Sequence, residues 1–198
     1  PRATAEDKKR QDHYRSEQIR DSIKHSAGSL AEFLEKLELK IDINPAQEAD
    51  YDRLAQLSVR TNQFNTTTLR LTIQQVVEYA STKGMSAHIA RVRDRFGDYG
   101  LVGAMLAHID GNSYYVDGMF LSCRALGRSV EFRMASYLAK DALNSGCEEI
   151  VFPVKTTERN EPARNYLTKL HELCGGTRAV SYTHLRAHET TEHLVCRL

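Results

Sequence analysis

The sequence has no apolar run near the ~20 residues that a bilayer span requires, and no charged-then-apolar leader opens it. The expectation is therefore a soluble, cytoplasmic chain. It also lacks an excess of either charge: 27 Lys and Arg stand against 26 Asp and Glu, a net +1, with the signs interspersed. That removes the electrostatic footprint of a nucleic-acid or anionic-membrane binder. Cysteine is scarce, and Cys123, Cys147, Cys174 and Cys196 are too far apart for zinc-ligand pairs or a dense disulfide framework. No metal is expected, and the thiols read as free and mostly buried. There is no internal repeat and no low-complexity tract. What remains is a 198-residue chain, 41% hydrophobic and 27% charged, long enough for one domain with a real core plus extensions.

The pattern along the chain predicts its elements. Thr4-Ala5-Glu6-Asp7 has the hydroxyl and acids of a helix start, and a charged helix runs to about Lys24. Ser26-Ala27-Gly28 breaks it. Ser29-Leu30-Ala31-Glu32 is a capping box for a short helix through Leu37. Leu39 to Ile43 alternates at period two and predicts a strand. A helix follows Pro45 to about Arg60, then a polar loop, Thr61 to Thr68, and Thr72-Ile73-Gln74-Gln75 caps a helix to Ala80. Ser86–Arg93, Gly100–Ile109 and Tyr114–Ser122 read as strands separated by Gly- and Asp-bearing turns, an antiparallel meander. A long helix over Gly127–Ser145, a buried strand over Glu149–Val154 and a helix from Asn160 complete the series. The expected class is α/β (α+β), a mixed and mostly antiparallel sheet with helices on its faces.

Three regions are expected: a helix at 1–25 left from a preceding domain, a main domain at 26–179, and a tail at 180–198. The chain opens on Pro1 without an initiator methionine, which suggests a cut amino end. Val180 to Thr190 resembles the translation of a transposon-type sequencing adapter, and Leu194 to Leu198 resembles a frame of the flow-cell adapter. The tail is therefore expected to lie outside the fold. The alternative is a metal site from His184, His188 and His193, the first two at helical i, i+4 spacing.

The strongest local feature is Arg124-Ala125-Leu126-Gly127-Arg128-Ser129, at the junction of the third meander strand and the long helix. A loop opening a helix presents unpaired N–H groups and the positive end of the helix dipole, so it can hold a phosphate. Gly127 permits close approach, and Arg124 and Arg128 add charge. The stretch resembles the phosphate-gripping loop of the N-acetyltransferase-like (GNAT) family, with Ser129 at a position that family fills with Gly or Ala. Asn160-Glu161-Pro162-Ala163 resembles the family's Asn-x-x-Ala, which helps position pantetheine. The resemblance thus implies that Arg124, Leu126, Gly127, Arg128, Ser129 and Asn160 contact phosphopantetheine or coenzyme A. The tyrosine expected seven residues past that asparagine is Leu167 here; Tyr166, one residue early, reads as a core or groove residue.

Three further blocks, Arg60–Thr67, Asp94–Gly103 and Phe120–Arg128, resemble the FkbH-like proteins. These join a phosphatase-like domain of the haloacid dehalogenase superfamily to a GNAT-like domain. The resemblance implies transfer of a glyceryl-type acyl group from a small-molecule donor to the phosphopantetheine thiol of an acyl carrier protein, in polyketide or related biosynthesis. The aspartyl nucleophile loop, Asp-x-Asp-x-Thr, does not occur. In that frame Asn62, Gln63, Asn65 and Thr67 are expected to line a substrate groove, although amides and hydroxyls in a loop also satisfy its own backbone. Asp117 is the candidate base, against a role in capping a bulge; Cys123 is a weaker nucleophile candidate, since strand-end cysteines are usually packing. An acetyl-CoA-dependent N-acetyltransferase and a non-catalytic docking module stand as alternatives.

Overall fold

Paired caps set the first helices. The computed structural model describes residues 5–175, 178–179 and 191–198, and the side chains of 15–175 and 193–198. Helix α1 spans Ala5–Ser26 and α2 spans Leu30–Leu37, where Ser29 Oγ accepts the Glu32 N–H and Phe33 and Leu37 turn inward. Strand β1 (Lys40–Pro45) precedes α3 (Glu48–Arg60). Helix α4 (Ile73–Ser81) has the predicted box: Gln75 N–H donates to Thr72 Oγ1 at 3.3 Å, and Thr72 N–H donates to Gln75 Oε1 at 2.9 Å.

The meander is β2 (Met85–Asp94), β3 (Gly97–Asp110) and β4 (Ser113–Leu121); α5 (Val130–Asn144), β5 (Glu149–Lys155) and α6 (Glu161–Cys174) follow. Among the described residues one sheet runs β1-β2-β3-β4-β5-β7-β6, where β6 is Arg178–Ala179 and β7 is Thr191–Arg197. All pairings are antiparallel except β4 with β5. One face carries α3 and α4, with Leu54, Leu57 and Val76 buried alongside Ile89, Ala104, Leu106 and Phe120. The other carries α5 and α6, where Val130, Met134, Leu138, Tyr166 and Leu167 share a core with Val92, Val102, Met105 and Met119. Leu101–Ala107 of β3 is buried throughout, as expected for a strand covered on both faces. At Gly103 a Cβ would meet Met134 Sδ at 2.9 Å, so its absence lets α5 cross closely.

Both described chain ends pack on the main domain. Helix α1 is docked on the main domain: Arg20 Nε and Nη2 reach Asp94 Oδ2 and Oδ1 at 2.7 and 2.9 Å, with side chains 4% and 0% exposed. Of the tail, 180–190 lies outside the described residues, and with it His184 and His188. The stretch 191–197 is not outside the fold: it pairs along the whole of β5, from Glu149↔Arg197 to Lys155↔Thr191, and buries Cys196. An open strand edge takes up a segment through backbone groups and asks little of its side chains. Burial, then the neighbouring Cys174 thiol, pushes the Cys196 thiol up to about 12.

Candidate functional site

Strands β4 and β5 pair in parallel only over Ser113–Tyr115 and Glu149–Val151, then part. Parting strands leave backbone donors and acceptors facing a wedge, and buried ones must find partners. Here the polar loop after α3 enters the wedge. Leu121 N–H donates to Phe64 O at 3.0 Å, Thr66 N–H to Met119 O at 3.4 Å, and Lys155 N–H to Thr66 O at 2.9 Å. Asn65 forms an isolated antiparallel bridge with Phe120, and the Phe64 ring lies 5.3 Å from that of Tyr166.

This placement gives several polar groups of that loop partners within the protein. Asn65 is buried, its Nδ2 donating to Ser58 O and Leu69 O, and Thr67 Oγ1 donates to Asp117 O at 2.7 Å. Gln63 is exposed, with its backbone O accepting from Ala163 N; Asn62 Oδ1 accepts from Arg70. The amides and hydroxyls chiefly close the loop on itself and on β4. Asn160, fully buried, is likewise committed: Nδ2 donates to Asn65 O and Lys155 O, and Oδ1 accepts from Thr157 N. It clamps the loop in the wedge. Tyr166 is the core residue expected, its hydroxyl bonded to Glu131 O.

At the vertex of the wedge a β-bulge sets Val116 and Asp117 of β4 opposite the single Ala107 of β3. Asp117 Oδ2 receives two donors, the Tyr79 hydroxyl from α4 and His108 Nδ1 from β3, the latter at 2.7 Å. Tyr115 stacks on the imidazole, centroids 5.1 Å apart and planes within 10°. Burial, then the Asp117 carboxylate, pushes the Tyr79 phenol far above its ordinary range. Tyr79 and His108 carry no sequence signal: no motif spacing links positions 79, 108 and 117, and only the bulge and the α4 packing bring them together.

At the other end of β4, a 3₁₀ turn over Cys123–Ala125 leads to α5. Gly127 (φ 72°) and Ser129 (φ 57°) are left-handed, and Ser129 makes no side-chain cap. Gly127 and Ser129 lead into the first turn of α5, whose N–H groups have no intrahelical acceptor. That turn is the positive end of a 15-residue helix. A cavity of about 260 Å³ covers the loop, lined by Cys123, Arg124, Leu126 and Gly127 and, across it, by Glu17 and Lys24 of α1. Arg128 also lines the cavity: its Nη1 bonds Arg124 O, its guanidinium lies 5.2 Å from the Tyr99 ring centroid and its Nη2 sits 3.7 Å from Glu17, while its buried Nε has no hydrogen-bond partner among the described residues. Arg124 pairs with no carboxylate among the described residues and is half-exposed.

Among the described residues no group of three or more His, Cys, Asp or Glu is arranged to hold a metal ion, and no helix is long and apolar enough to cross a membrane. No family model and no curated protein sequence matches the chain. Solved structures do match. The ribosomal-protein-S18-alanine N-acetyltransferase of Escherichia coli superposes with a TM-score of 0.58 over 80% of this chain and 94% of its own, at 7% identity. PaiA N-acetyltransferase of Thermoplasma acidophilum, solved with coenzyme A, gives 0.58 over 80% and 99% at 12% identity. Spermidine N-acetyltransferase of Vibrio cholerae, solved with CoA and spermine, gives 0.57 over 79% and 95% at 9%. The chain therefore has the GNAT acetyltransferase fold.

Proposed function

We propose that this chain is an acyltransferase-type domain that receives a phosphopantetheine arm, carried by an acyl carrier protein or by coenzyme A. The observation that carries the reading is a line along β4. At one end the first-turn N–H groups of α5, with Gly127 and Arg124 lining a cavity, suit a phosphate. At the other the Asp117 cluster suits proton transfer. From Asp117 to Ser122, at about 3.3 Å per strand residue, is roughly 17 Å, a span that an extended phosphopantetheine arm covers. The finer reading, an FkbH-like domain acting on a glyceryl-type group from a small-molecule donor, rests on the sequence blocks at 60–67, 94–103 and 120–128.

The second reading, acetyl-CoA-dependent N-acetylation, is favoured by neighbours of the same fold solved with coenzyme A. Calorimetric titration of the whole chain with coenzyme A and with a carrier protein in holo and apo forms separates them. The first reading expects holo carrier protein to bind more tightly than apo or coenzyme A; the second expects coenzyme A to bind at least as well. Arg124→Ala should weaken either phosphate-bearing ligand roughly ten- to hundredfold, the loss of one charge-assisted contact. Binding of apo and holo carrier protein alike, with none of coenzyme A, would overturn both readings in favour of a docking module.

A further inference from the structure

We infer that His108 is the proton-transfer group of this chain, held in one tautomer by Asp117, and that it serves a thiol nucleophile attacking a thioester at the β4–β5 vertex. The inference rests on the arm-binding reading above and reverses the expected role of Asp117, from base to positioning residue.

A carboxylate only accepts hydrogen bonds. Asp117 Oδ2 faces the Tyr79 hydroxyl and His108 Nδ1 together, so the phenol and the imidazole must both donate, and the neutral imidazole carries its proton on Nδ1. Nε2 is then the lone-pair nitrogen. The ring is fixed from a second direction by Tyr115 and remains one-third exposed, so Nε2 is both oriented and reachable. The carboxylate is itself held: the bulge turns it to this face, and Thr67 Oγ1 ties its main-chain oxygen at 2.7 Å. A surface ion pair needs none of these restraints. They belong to a geometry in which a base is aligned by a third group.

The step balances without any co-reactant. As the thiol sulfur bonds to the thioester carbon, its proton passes to Nε2. The tetrahedral adduct then expels the first sulfur, the C–S bond breaks, and the departing thiolate takes the same proton back from Nε2.

The test uses the whole chain with acetyl-CoA as donor and pantetheine as acceptor thiol, together with long-range ¹⁵N–¹H spectra of the histidine rings. His108 is identified in those spectra by the signal missing from His108→Gln. The expected spectrum has the His108 proton on Nδ1, and Asp117→Asn abolishes that preference. His108→Gln should lower the rate of acetyl transfer about 10²–10⁴-fold while coenzyme A affinity stays unchanged. Tyr79→Phe should cost only a few-fold. A His108→Gln variant as fast as wild type, or a wild-type ring with its proton on Nε2, overturns the assignment alone. A wild type that binds coenzyme A but never transfers the acetyl group overturns the acyl-transfer reading, and the assignment with it.

Discussion

Thr66 and Met119 hold each other reciprocally: Thr66 N–H donates to Met119 O at 3.4 Å, and Met119 N–H donates to Thr66 Oγ1 at 3.2 Å. The loop thereby behaves as a short strand of the sheet, filling the wedge that β4 and β5 open between the turn into α5 and the Asp117 cluster. An extended, amide-bearing arm lying along β4 would use the same groups, Met119 O and Leu121 N.

Competition for those groups yields the first prediction. Thr66→Val keeps the shape and removes the hydroxyl, leaving a buried Met119 N–H unsatisfied at about 1–3 kcal/mol. The variant should unfold at lower urea than wild type, yet bind coenzyme A more tightly, because the competing loop is weakened. Equal loss of stability and affinity would mean that the arm does not run along β4.

Acid should release α1. Burial alone would raise the Asp94 carboxyl, but the Arg20 guanidinium, then the Tyr99 hydroxyl and Phe96 N–H, overcome it and hold Asp94 below its usual range. A carboxyl depressed in the fold contributes stability above its unfolded pKa and loses it as pH falls through the folded one. His88, held low by burial against the pull of Asp141, acts in the same direction, since the unfolded chain binds the extra proton. Asp94→Asn should cost about 3–5 kcal/mol at pH 7 by stranding Arg20, and its urea midpoint should change less than that of wild type between pH 7 and pH 3.

Glu131 has the opposite sign. Burial, only partly offset by its own backbone N–H and Lys169, raises its carboxyl, and Oε2 has no hydrogen-bond partner among the described residues. The folded chain binds this proton more tightly, so its contribution falls as pH rises through the unfolded range to the folded one. Glu131→Gln should therefore match wild type near pH 4 and exceed it at pH 8 by about 1–2 kcal/mol, read from urea midpoints at the two pH values.

What the sequence conveyed was local. The boxes at Ser29 and Thr72, the alternation in the meander and the breaks at 110–113 depend on neighbours within a few residues, and those elements fall within a few residues of expectation. The turn into α5 was legible for the same reason, as a glycine before a helix. The cluster was not, because Tyr79, His108 and Asp117 meet through a bulge and a helix packing that no period encodes. Asn65, Thr67 and Asn160 were recognisable as polar residues in loops, but whether an amide faces a ligand or a neighbouring carbonyl is decided by tertiary contact.

A chain ended at Ala179 tests the tail. Removal of β7 leaves the outer edge of β5 unpaired, and an unpaired edge is a template for another chain. The shortened chain should keep its helical circular dichroism while self-associating, as seen by light scattering. A monomer with unchanged stability would mean that β5 needs no cover there.

The two arginines of the phosphate loop should separate cleanly. Arg128 bonds Arg124 O, lies over the Tyr99 ring and faces Glu17, so it joins α1, the loop and the β2–β3 turn. Arg124 has no carboxylate partner among the described residues, and both arginines line the cavity at the start of α5. Arg128→Ala should therefore lower the unfolding midpoint and loosen α1 first, with any loss of coenzyme A affinity following that loosening. Arg124→Ala should leave the midpoint within about 0.5 kcal/mol, the range of surface substitutions without a structural role, and lose affinity with a shallower salt dependence, since one cation fewer meets the phosphate. Calorimetry at two salt concentrations, paired with urea unfolding, reads both quantities. If Arg124→Ala destabilises the fold and Arg128→Ala removes binding without doing so, the guanidinium facing the ligand is Arg128, and the phosphate lies on the α1 side of the loop.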